Sequence, residues 1–167
     1  MNTIKKVLLV AMITFGFGMV QAQTKVAHID SDELVAAMPE TKALQAKLEV
    51  LGKSYNDEAA KKEAELKAKF EKYNAEFEGQ TDLVNTERTK EVQADAQKIE
   101  SFKNEAYKDL QKQENEGLMP ILEKAQKAIE EVAAAQGFDY VINAKTLIVA
   151  KGKDLLPDVK AKLGIKE

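Results

Sequence analysis

The sequence contains no cysteine, no tryptophan, a single histidine and only three prolines. The lack of cysteine excludes disulfides and any thiol nucleophile. The lack of tryptophan, with only 6% aromatic residues, leaves no visible stacking platform for single-stranded nucleic acid. Because proline is the strongest helix breaker, its absence between Pro39 and Pro120 leaves room for very long helices.

Residues 1–22 have the pattern of a secretory signal peptide. Lys5 and Lys6 form a short basic segment, residues 7–20 are almost entirely apolar, and Ala22 is a small residue at the predicted cleavage point. The apolar run is too short to span a bilayer comfortably. We therefore expect export, cleavage after residue 22 and no transmembrane segment in the mature chain. An N-terminal membrane anchor is the alternative.

The mature chain is acidic but carries charges of both signs throughout. Removal of residues 1–22 leaves 23 basic and 28 acidic residues, a net charge of −5. Such a surface argues against nucleic acid as the main partner.

No residue pattern indicates catalysis, a metal or a cofactor. His28 has no second histidine to share a metal with, and we expect it to be a sheet residue with a local hydrogen bond. Asp30, Asp32 and Glu33 lack the glycine and the spacing of a calcium loop, so helix capping is the better interpretation. Motifs for nucleotides and for nucleophiles are also missing. We therefore predict that the protein is not an enzyme and has no catalytic, metal-binding or cofactor-binding residues.

Two long charged stretches, from about residue 41 to 78 and from about 82 to 116, have the features of helices. Apolar residues in both recur at steps of three and four, as in a coiled coil, with a weak polar interruption at Ala59 and Lys62 in the first stretch. In the first stretch they are Leu44, Leu48, Leu51, Tyr55, Leu66, Phe70, Tyr73 and Phe77. In the second they are Leu83, Val92, Ala96, Ile99, Phe102, Ala106 and Leu110.

Residues 78–82 form a short connection, in which Gly79 is suited to a left-handed cap and Thr81 or Asp82 can begin the second helix. Helices joined by so short a turn must run antiparallel. The two stretches therefore predict a helical hairpin on the order of 55 Å long, from 1.5 Å per residue.

The two ends of the chain predict a small body with strands. Residues 25–30 alternate like a strand, and Asp30 or Ser31 can cap a short helix that Met38 and Pro39 end. Residues 117–120 suggest a kink or a helix restart, followed by a helix that Gly137 ends. Residues 139–143 and 147–150 are predicted to form a strand hairpin, and Asp154 to cap a last helix closed by Gly164.

The predicted fold is thus α+β, with a small β-sheet body and a long antiparallel helical hairpin. We assign residues 23–40 and 118–167 to the body and residues 41–117 to the arm. A body this small, without disulfides, is near the lower limit for a self-sufficient core, so we expect association between subunits. The residues expected to build the associated body are Val26, Ile29, Val141, Ile142, Leu147 and Val149.

The sequence resembles the Skp/OmpH family of periplasmic chaperones over essentially the whole mature chain. The most specific similarity is in residues 136–144, Gln-Gly-Phe-Asp-Tyr-Val-Ile-Asn-Ala, and it extends to the strand at 26–30 and to Asp-Leu-Leu-Pro-Asp-Val at 154–159. The resemblance implies a periplasmic homotrimer whose helical tentacles enclose a cavity for unfolded outer-membrane β-barrel proteins, without ATP. Well-known members are strongly basic, whereas this chain has a pI near 5.4, so lipopolysaccharide binding is not carried over.

The apolar residues of the arm have two possible roles. Most are expected to pack the two helices together, but some can face the cavity and contact a client. Tyr73 and Phe77 are the first candidates, because a thin hairpin has little interior near its tip. The full candidate set is Leu66, Phe70, Tyr73, Phe77, Leu83, Ile99 and Phe102. A coiled-coil scaffolding protein of the cell envelope, without clients, is the alternative function.

Overall fold

The computed structural model describes residues 24–166, which form a small sheet and four helices, two of them very long. In chain order these elements are β1 (Val26–Ile29), α1 (Ser31–Ala37), α2 (Pro39–Ala75), α3 (Asp82–Gln136), β2 (Tyr140–Asn143), β3 (Lys153–Asp154) and α4 (Leu156–Lys162). Single 3₁₀ turns occupy Phe77–Gly79 and Ala144–Thr146. The predicted signal peptide lies outside the described residues.

The sheet has the strand order β2-β1-β3, and both pairings are parallel. Val26 is opposite Tyr140 and Ile29 is opposite Asn143, while on the other edge His28 is opposite Asp154. The central position of β1 explains why three of its four residues are buried. A parallel pair needs a long crossover, and here α1, α2 and α3 together provide it between β1 and β2.

One apolar core lies where the C-terminal third of α3 packs with the sheet and with α1 and α4. Its largest fully buried side chains are Leu34, Met38, Leu155 and Val159. The remaining core residues are Ala27, Ile29, Ile121, Ala125, Ala128, Val132, Ala133 and Leu156. All of them come from the two ends of the chain, so the ends meet and the long hairpin leaves the core as an insertion.

The entry into the long hairpin follows the predicted capping. The Asp30 carboxylate accepts a hydrogen bond from the Glu33 amide at 2.9 Å and begins α1. Met38 is extended, with ψ of 134°, because a residue before proline avoids the helical region. Pro39 then occupies the first turn of α2, where its missing N–H costs no hydrogen bond.

The expected helix restart near residue 120 was wrong, because α3 continues through Pro120 for 55 residues in all. The alternative, a kink at this proline, stays a prediction. Pro120 lies on the exposed face, where water can hydrogen-bond the carbonyl that loses its amide partner. Gly117 serves packing instead: a Cβ there would lie 2.5 Å from Leu44 Cδ1. The glycine therefore allows α2 and α3 to approach closely at the base of the arm.

The turn of the hairpin contains no left-handed residue, so the prediction for Gly79 was wrong. Within residues 24–166 only Gly137 and Gly164 have positive φ, of 70° and 71°, and both end helices as predicted. Helix α2 ends at Ala75, its C-cap Glu76 has φ −92° and ψ 0°, and the Gly79 amide donates to the Glu76 carbonyl at 3.1 Å. This 3₁₀ turn leads directly to Thr81, whose side chain caps α3 by accepting from the Val84 amide.

The predicted strand hairpin is also wrong, because residues 147–150 form no strand and the third strand is Lys153–Asp154. The Asn143 side chain accepts from the Lys145 amide, and the Thr146 hydroxyl donates to the Asn143 carbonyl. These bonds wind the chain into a 3₁₀ turn. A tight hairpin would instead need residues with positive φ, which this segment lacks. The chain therefore crosses to the far edge of β1, where the Leu155 amide donates to the His28 carbonyl at 2.9 Å.

Candidate functional site

The arm is a thin, antiparallel pair of helices with a narrow seam. Lys47 bonds Gln113, Tyr55 bonds Asp109 and Lys69 bonds Glu91, so the partners converge in sequence toward the turn. At 1.5 Å per residue, the 37 residues of α2 extend about 55 Å. The buried residues along the seam are mainly small, namely Ala59, Ile99 and Ala106. The arm thus has a long exposed surface and very few buried side chains.

An aromatic contact strengthens the middle of the arm. The rings of Tyr55 and Phe102 meet edge to face, with centroids 6.1 Å apart, and Lys62 Nζ lies 5.1 Å from the Phe102 centroid. The Tyr55 hydroxyl donates to Asp109 at 2.8 Å, and this hydrogen bond raises the pKa of the tyrosine. Phe102 is therefore half-buried between the helices rather than presented to solvent.

A cluster of ionic hydrogen bonds joins the helices closer to the turn. Lys69 donates to Asp95 and, at 2.8 Å, to Glu91, which also accepts from the Tyr73 hydroxyl at 2.7 Å. The hydrogen bond from Lys69, with a second from Lys98, lowers the pKa of Asp95 to about 2. The hydrogen bonds that Asp95 and Glu91 accept from Lys69 raise the pKa of that lysine in turn. Polar bonds therefore contribute to joining the two helices in this section of the arm.

Next to the turn, the two helices form a groove of about 360 Å³ that we call the tip groove. Aromatic and aliphatic side chains from both helices form much of its surface, and polar groups are set among them. The principal residues are Phe70, Tyr73, Phe77, Asn85, Arg88 and Val92. Phe70 and Phe77 are 57% and 58% exposed, so the groove presents an apolar surface to solvent.

Polar contacts hold the floor of the tip groove in place. Arg88 Nη2 donates to Glu76 at 2.6 Å, and the guanidinium carbon lies 4.5 Å from the Tyr73 ring centroid. Asn85 Nδ2 donates to the Phe77 carbonyl at 3.0 Å. One further polar atom of each side chain, Arg88 Nη1 and Asn85 Oδ1, is buried and hydrogen-bonds nothing within the described residues.

The residues of the arm that were predicted to contact a client differ in their exposure and in whether they line the tip groove. Phe70, Tyr73 and Phe77 line the tip groove together. Leu83 is 69% exposed but does not line that groove, and Leu66 is half-buried beside Lys69 and Ile99. Ile99 is only 6% exposed, because it faces the opposite helix, so it packs the seam and offers no surface to a client.

Sequence reasoning did not single out Asn85, Arg88 or Val92 as site residues. One signal for Arg88 was available, because it is the only arginine of the chain among 25 basic residues. Arginine differs from lysine in its planar array of donors and its ability to stack on aromatic rings. The pairing of α2 with α3, which brings these residues beside Phe70 and Phe77, is a tertiary contact that periodicity alone does not reveal.

The body has an apolar exposed face of its own. Ile148 is completely exposed, at 102%, and Val26, Tyr140, Ile142 and Val149 are exposed as well. The body also has a groove of about 540 Å³, lined by residues that include Val35, Leu122, Ile129, Phe138 and Val141. Of the residues predicted to build the associated body, Val141 and Leu147 are half-buried, whereas Ile29 is 2% exposed and belongs to the core of its own chain.

The acidic and histidine side chains at the start of the chain have structural partners. His28 is buried in the sheet, with Nε2 3.4 Å from the Ala150 carbonyl and Nδ1 3.9 Å from Asp154. Asp32 pairs with Lys145 and Glu33 with Lys160, at 2.6 and 2.7 Å. Over residues 24–166, no group of His, Cys, Asp or Glu is arranged to hold a metal ion. In the same part of the chain, none of the helices combines the length and apolar character of a membrane span.

Comparisons with known proteins agree with this architecture. A family model described as "Outer membrane protein (OmpH-like)" matches residues 25–163. The chain is 26% identical over 141 residues to the chaperone protein Skp of Pectobacterium atrosepticum, covering 84% of this chain and 86% of that protein. It is 27% identical over 140 residues to the chaperone protein Skp of Photorhabdus laumondii, covering 83% and 85%.

The fold is shared with a crystal structure of an OmpH-like protein from Caulobacter crescentus CB15. The two superpose with a TM-score of 0.78 at 19% identity, over 85% of each chain. This match confirms the predicted α+β fold with its long helical hairpin. The curated relatives are named as chaperones, which agrees with the prediction that the protein is not an enzyme. The family model covers most of the chain and confirms the resemblance, so the chain belongs to the OmpH-like outer membrane protein family.

Proposed function

We propose that the protein is an ATP-independent holdase of the periplasm, which binds unfolded outer-membrane β-barrel proteins between its arms and prevents their aggregation. The observation that carries this proposal is the arm itself. It extends about 55 Å at 1.5 Å per residue and buries almost no apolar core. The arm therefore contributes little to folding, and its length is best explained by contact with another molecule. The chaperone names of the curated relatives support the same function.

The surface of the arm suits weak and adaptable binding. Phe70, Phe77 and Leu83 expose more than half of their side-chain surface near the turn. Lysines and glutamates surround them, so the apolar residues form small separate contacts rather than one continuous patch that would aggregate. Many such contacts would retain an unfolded chain without a nucleotide, and the client would leave when folding in the membrane becomes more stable than binding.

We propose a homotrimer built through the body. Val26, Ile142, Ile148 and Val149 are apolar residues exposed on the body, and association would remove them from water. Replacing Val149 with Asp should produce a monomer by sedimentation, because a charge cannot be buried at that interface without a partner. A stable trimer of this variant would exclude Val149 from the interface.

Periplasmic location rests on the signal peptide pattern at residues 1–22. Lipopolysaccharide is not a proposed ligand, because the mature chain is acidic. For the same reason client binding should depend mainly on apolar contact and weaken only modestly in moderate salt.

The decisive experiment compares the mature protein with a variant whose arm is shortened in register. Residues 60–105 are replaced by a short Gly-Asn turn that joins Ala59 to Ala106, two buried residues that line the same section of the seam. Both proteins are mixed with an unfolded outer-membrane β-barrel protein diluted from urea, and light scattering reports aggregation.

We expect the full protein to suppress scattering and the shortened variant to lose this ability, while sedimentation shows the same oligomer for both. Equal suppression by the two proteins would place client binding outside the arm. No suppression by either protein would favour a scaffolding role in the envelope.

A further inference from the structure

The tip groove contains two polar atoms whose hydrogen-bonding capacity is unused. Among residues 24–166, only four side-chain nitrogen or oxygen atoms are buried without a hydrogen-bond partner, and Arg88 Nη1 and Asn85 Oδ1 are two of them. The first is a donor and the second is an acceptor. Because residues three apart share a helix face, the donor and the acceptor lie on the same side of α3.

A donor beside an acceptor is the complement of a polypeptide backbone. Each residue of an extended chain offers one carbonyl and one amide, and both need partners when they leave water. Neither a phosphate nor a metal ion would use both atoms, because a phosphate has no amide donor and a metal ion cannot bond a guanidinium. Glu76 already holds Arg88 Nη2 at 2.6 Å, so the site lacks the free positive charge that an acidic ligand would require.

The apolar residues of the groove indicate which kind of ligand side chain would bind together with the ligand's backbone. Phe70, Phe77 and Val92 provide a hydrophobic surface around a volume of about 360 Å³. This lies near the lower end of ligand pockets, about 300–1,000 Å³, and suits one large side chain with its flanking peptide groups. Phe70 and Phe77 are more than half-exposed, and a change of their rotamers as a ligand enters would also have to uncover Arg88 Nη1 and Asn85 Oδ1, which are buried in the structure.

We infer that the tip groove binds an extended, unstructured polypeptide segment, with one aromatic or large aliphatic side chain in the groove, Arg88 donating to a backbone carbonyl and Asn85 accepting from a backbone amide. This inference rests on the proposed function, since it assigns unfolded clients a defined contact near the end of each arm. It also distinguishes Arg88 from the other basic residues, because lysine lacks the second planar N–H₂ group that remains free here.

The test uses the full mature protein labelled with ¹⁵N and the capped peptide Ac-Gly-Thr-Phe-Thr-Gly-NH₂. Because Arg88 is the only arginine, its side-chain NMR signals are identified without ambiguity. We expect the peptide to shift the Arg88 and Asn85 side-chain signals in a saturable manner. Replacing the peptide's Phe by Ala should weaken binding about tenfold through lost burial, and N-methylation of the Phe amide about fivefold through the lost donor.

Matched protein variants locate the site. Phe77→Ala, in the turn, should weaken peptide binding about tenfold, and Phe70→Ala, in α2, should also weaken it. Arg88→Lys should keep the ion pair with Glu76 but reduce affinity about fivefold through the lost second donor. Tyr107→Ala is the control, because Tyr107 is 62% exposed on the same arm and lies outside the tip groove. It should bind the peptide like the parent.

The outcomes separate this inference from the proposed function. If the protein suppresses aggregation of the β-barrel client but the peptide leaves the Arg88 and Asn85 signals unchanged, the inference fails and the holdase proposal stands. If the peptide binds with the expected pattern but aggregation is not suppressed, the groove is a peptide site and the holdase proposal fails. Shifts of the same signals on raising protein concentration alone would assign the groove to a second copy of the chain and overturn the inference.

Discussion

The body and the arm are stabilised in different ways, although one helix, α3, runs through both. In the body, Leu34, Met38, Leu155 and Val159 are completely removed from solvent and fix the sheet against the helices. In the arm, the seam buries little beyond Ala59, Ile99 and Ala106, and ionic hydrogen bonds such as those of Lys69 join the helices. Packing thus defines the body, while helix propensity and polar bonds maintain the arm.

This contrast explains how one chain can be both well folded and adaptable. Partly exposed ion pairs contribute little each, about 0–1 kcal/mol, so the arm can bend or open locally at small cost. A buried aliphatic side chain contributes several times more, so the body resists the same disturbance. Surface for binding is therefore placed on the part of the molecule that can change shape without unfolding the rest.

The largest expected effect is the loss of stability when a cavity is created in the core of the body. We expect Leu34→Ala to lower the free energy of unfolding by about 2–5 kcal/mol, since Leu34 is fully buried in the core. Leu83→Ala, the matched change at an exposed arm position, should alter it by less than about 0.5 kcal/mol. Urea unfolding followed by circular dichroism measures both. Similar losses for the two variants would contradict the division between body and arm.

The second test removes binding surface from the arm while the body stays unchanged. The triple variant Phe70→Ser, Phe77→Ser and Leu83→Ser should lose most of its suppression of light scattering, because the three residues are the exposed apolar groups near the turn. Its oligomeric state and unfolding midpoint should match those of the parent. Val50→Ser with Tyr107→Ser, two exposed changes elsewhere on the arm, is the control and should retain most of the activity.

Hydrogen exchange should show the difference in local stability directly. Amides of the arm between Leu66 and Ile99 should exchange at least about tenfold faster than those of residues 120–136 and of β1, which corresponds to about 1.4 kcal/mol. The reason is that opening near the turn exposes little apolar surface. Uniform protection along the chain would show that arm and body unfold together.

The smallest effect should be a dependence of arm stability on acid pH. Hydrogen bonds from Lys69 and Lys98 lower the pKa of Asp95 from 3.8 to about 2, and Lys69 lowers the pKa of Glu91 as well. Because the pKa of Asp95 is lower in the folded arm, its ionised carboxylate stabilises the fold at any pH above the ordinary value of 3.8. This stabilisation is lost as the pH falls from 3.8 through about 2. Thermal unfolding of the arm helices should therefore shift less between pH 5 and pH 2 in Asp95→Asn than in the parent. An equal shift in both proteins would assign the acid sensitivity to other carboxylates.

The local features of the fold were predictable because they depend on neighbours in sequence. No proline lies between Pro39 and Pro120, and apolar residues such as Leu44, Leu48 and Leu51 recur at steps of three and four. These two features predicted two long helices. Asp30, one of the two predicted caps, begins a helix and Gly137 ends one as predicted, because a capping side chain and a left-handed residue act within a single turn. Each of these determinants acts over a few residues.

Apart from the local turn at Gly79, the errors concern residues whose partners are distant in sequence. Residues 147–150 have the composition of a strand, but Lys153 and Asp154 are the residues that pair with Ala27 and His28 of β1, far away in the chain. Pro120 remains inside a helix, because it lies on the exposed face while Ile121 and Ala125 hold the neighbouring face in the core. Ile99 has the same local pattern as Phe70, yet it faces the opposite helix and is buried.

The sequence by itself determined the helical hairpin, the composition of its surface and the family of the protein, because these follow from periodicity, charge and local motifs. Only the tertiary structure decided the parallel order of the sheet and the tip groove. The groove exists because the register between α2 and α3 places Arg88 and Asn85 beside Phe70 and Phe77. That register depends on pairs such as Lys69 with Asp95, 26 residues apart. Contacts between segments so distant in the chain form only when the whole hairpin folds.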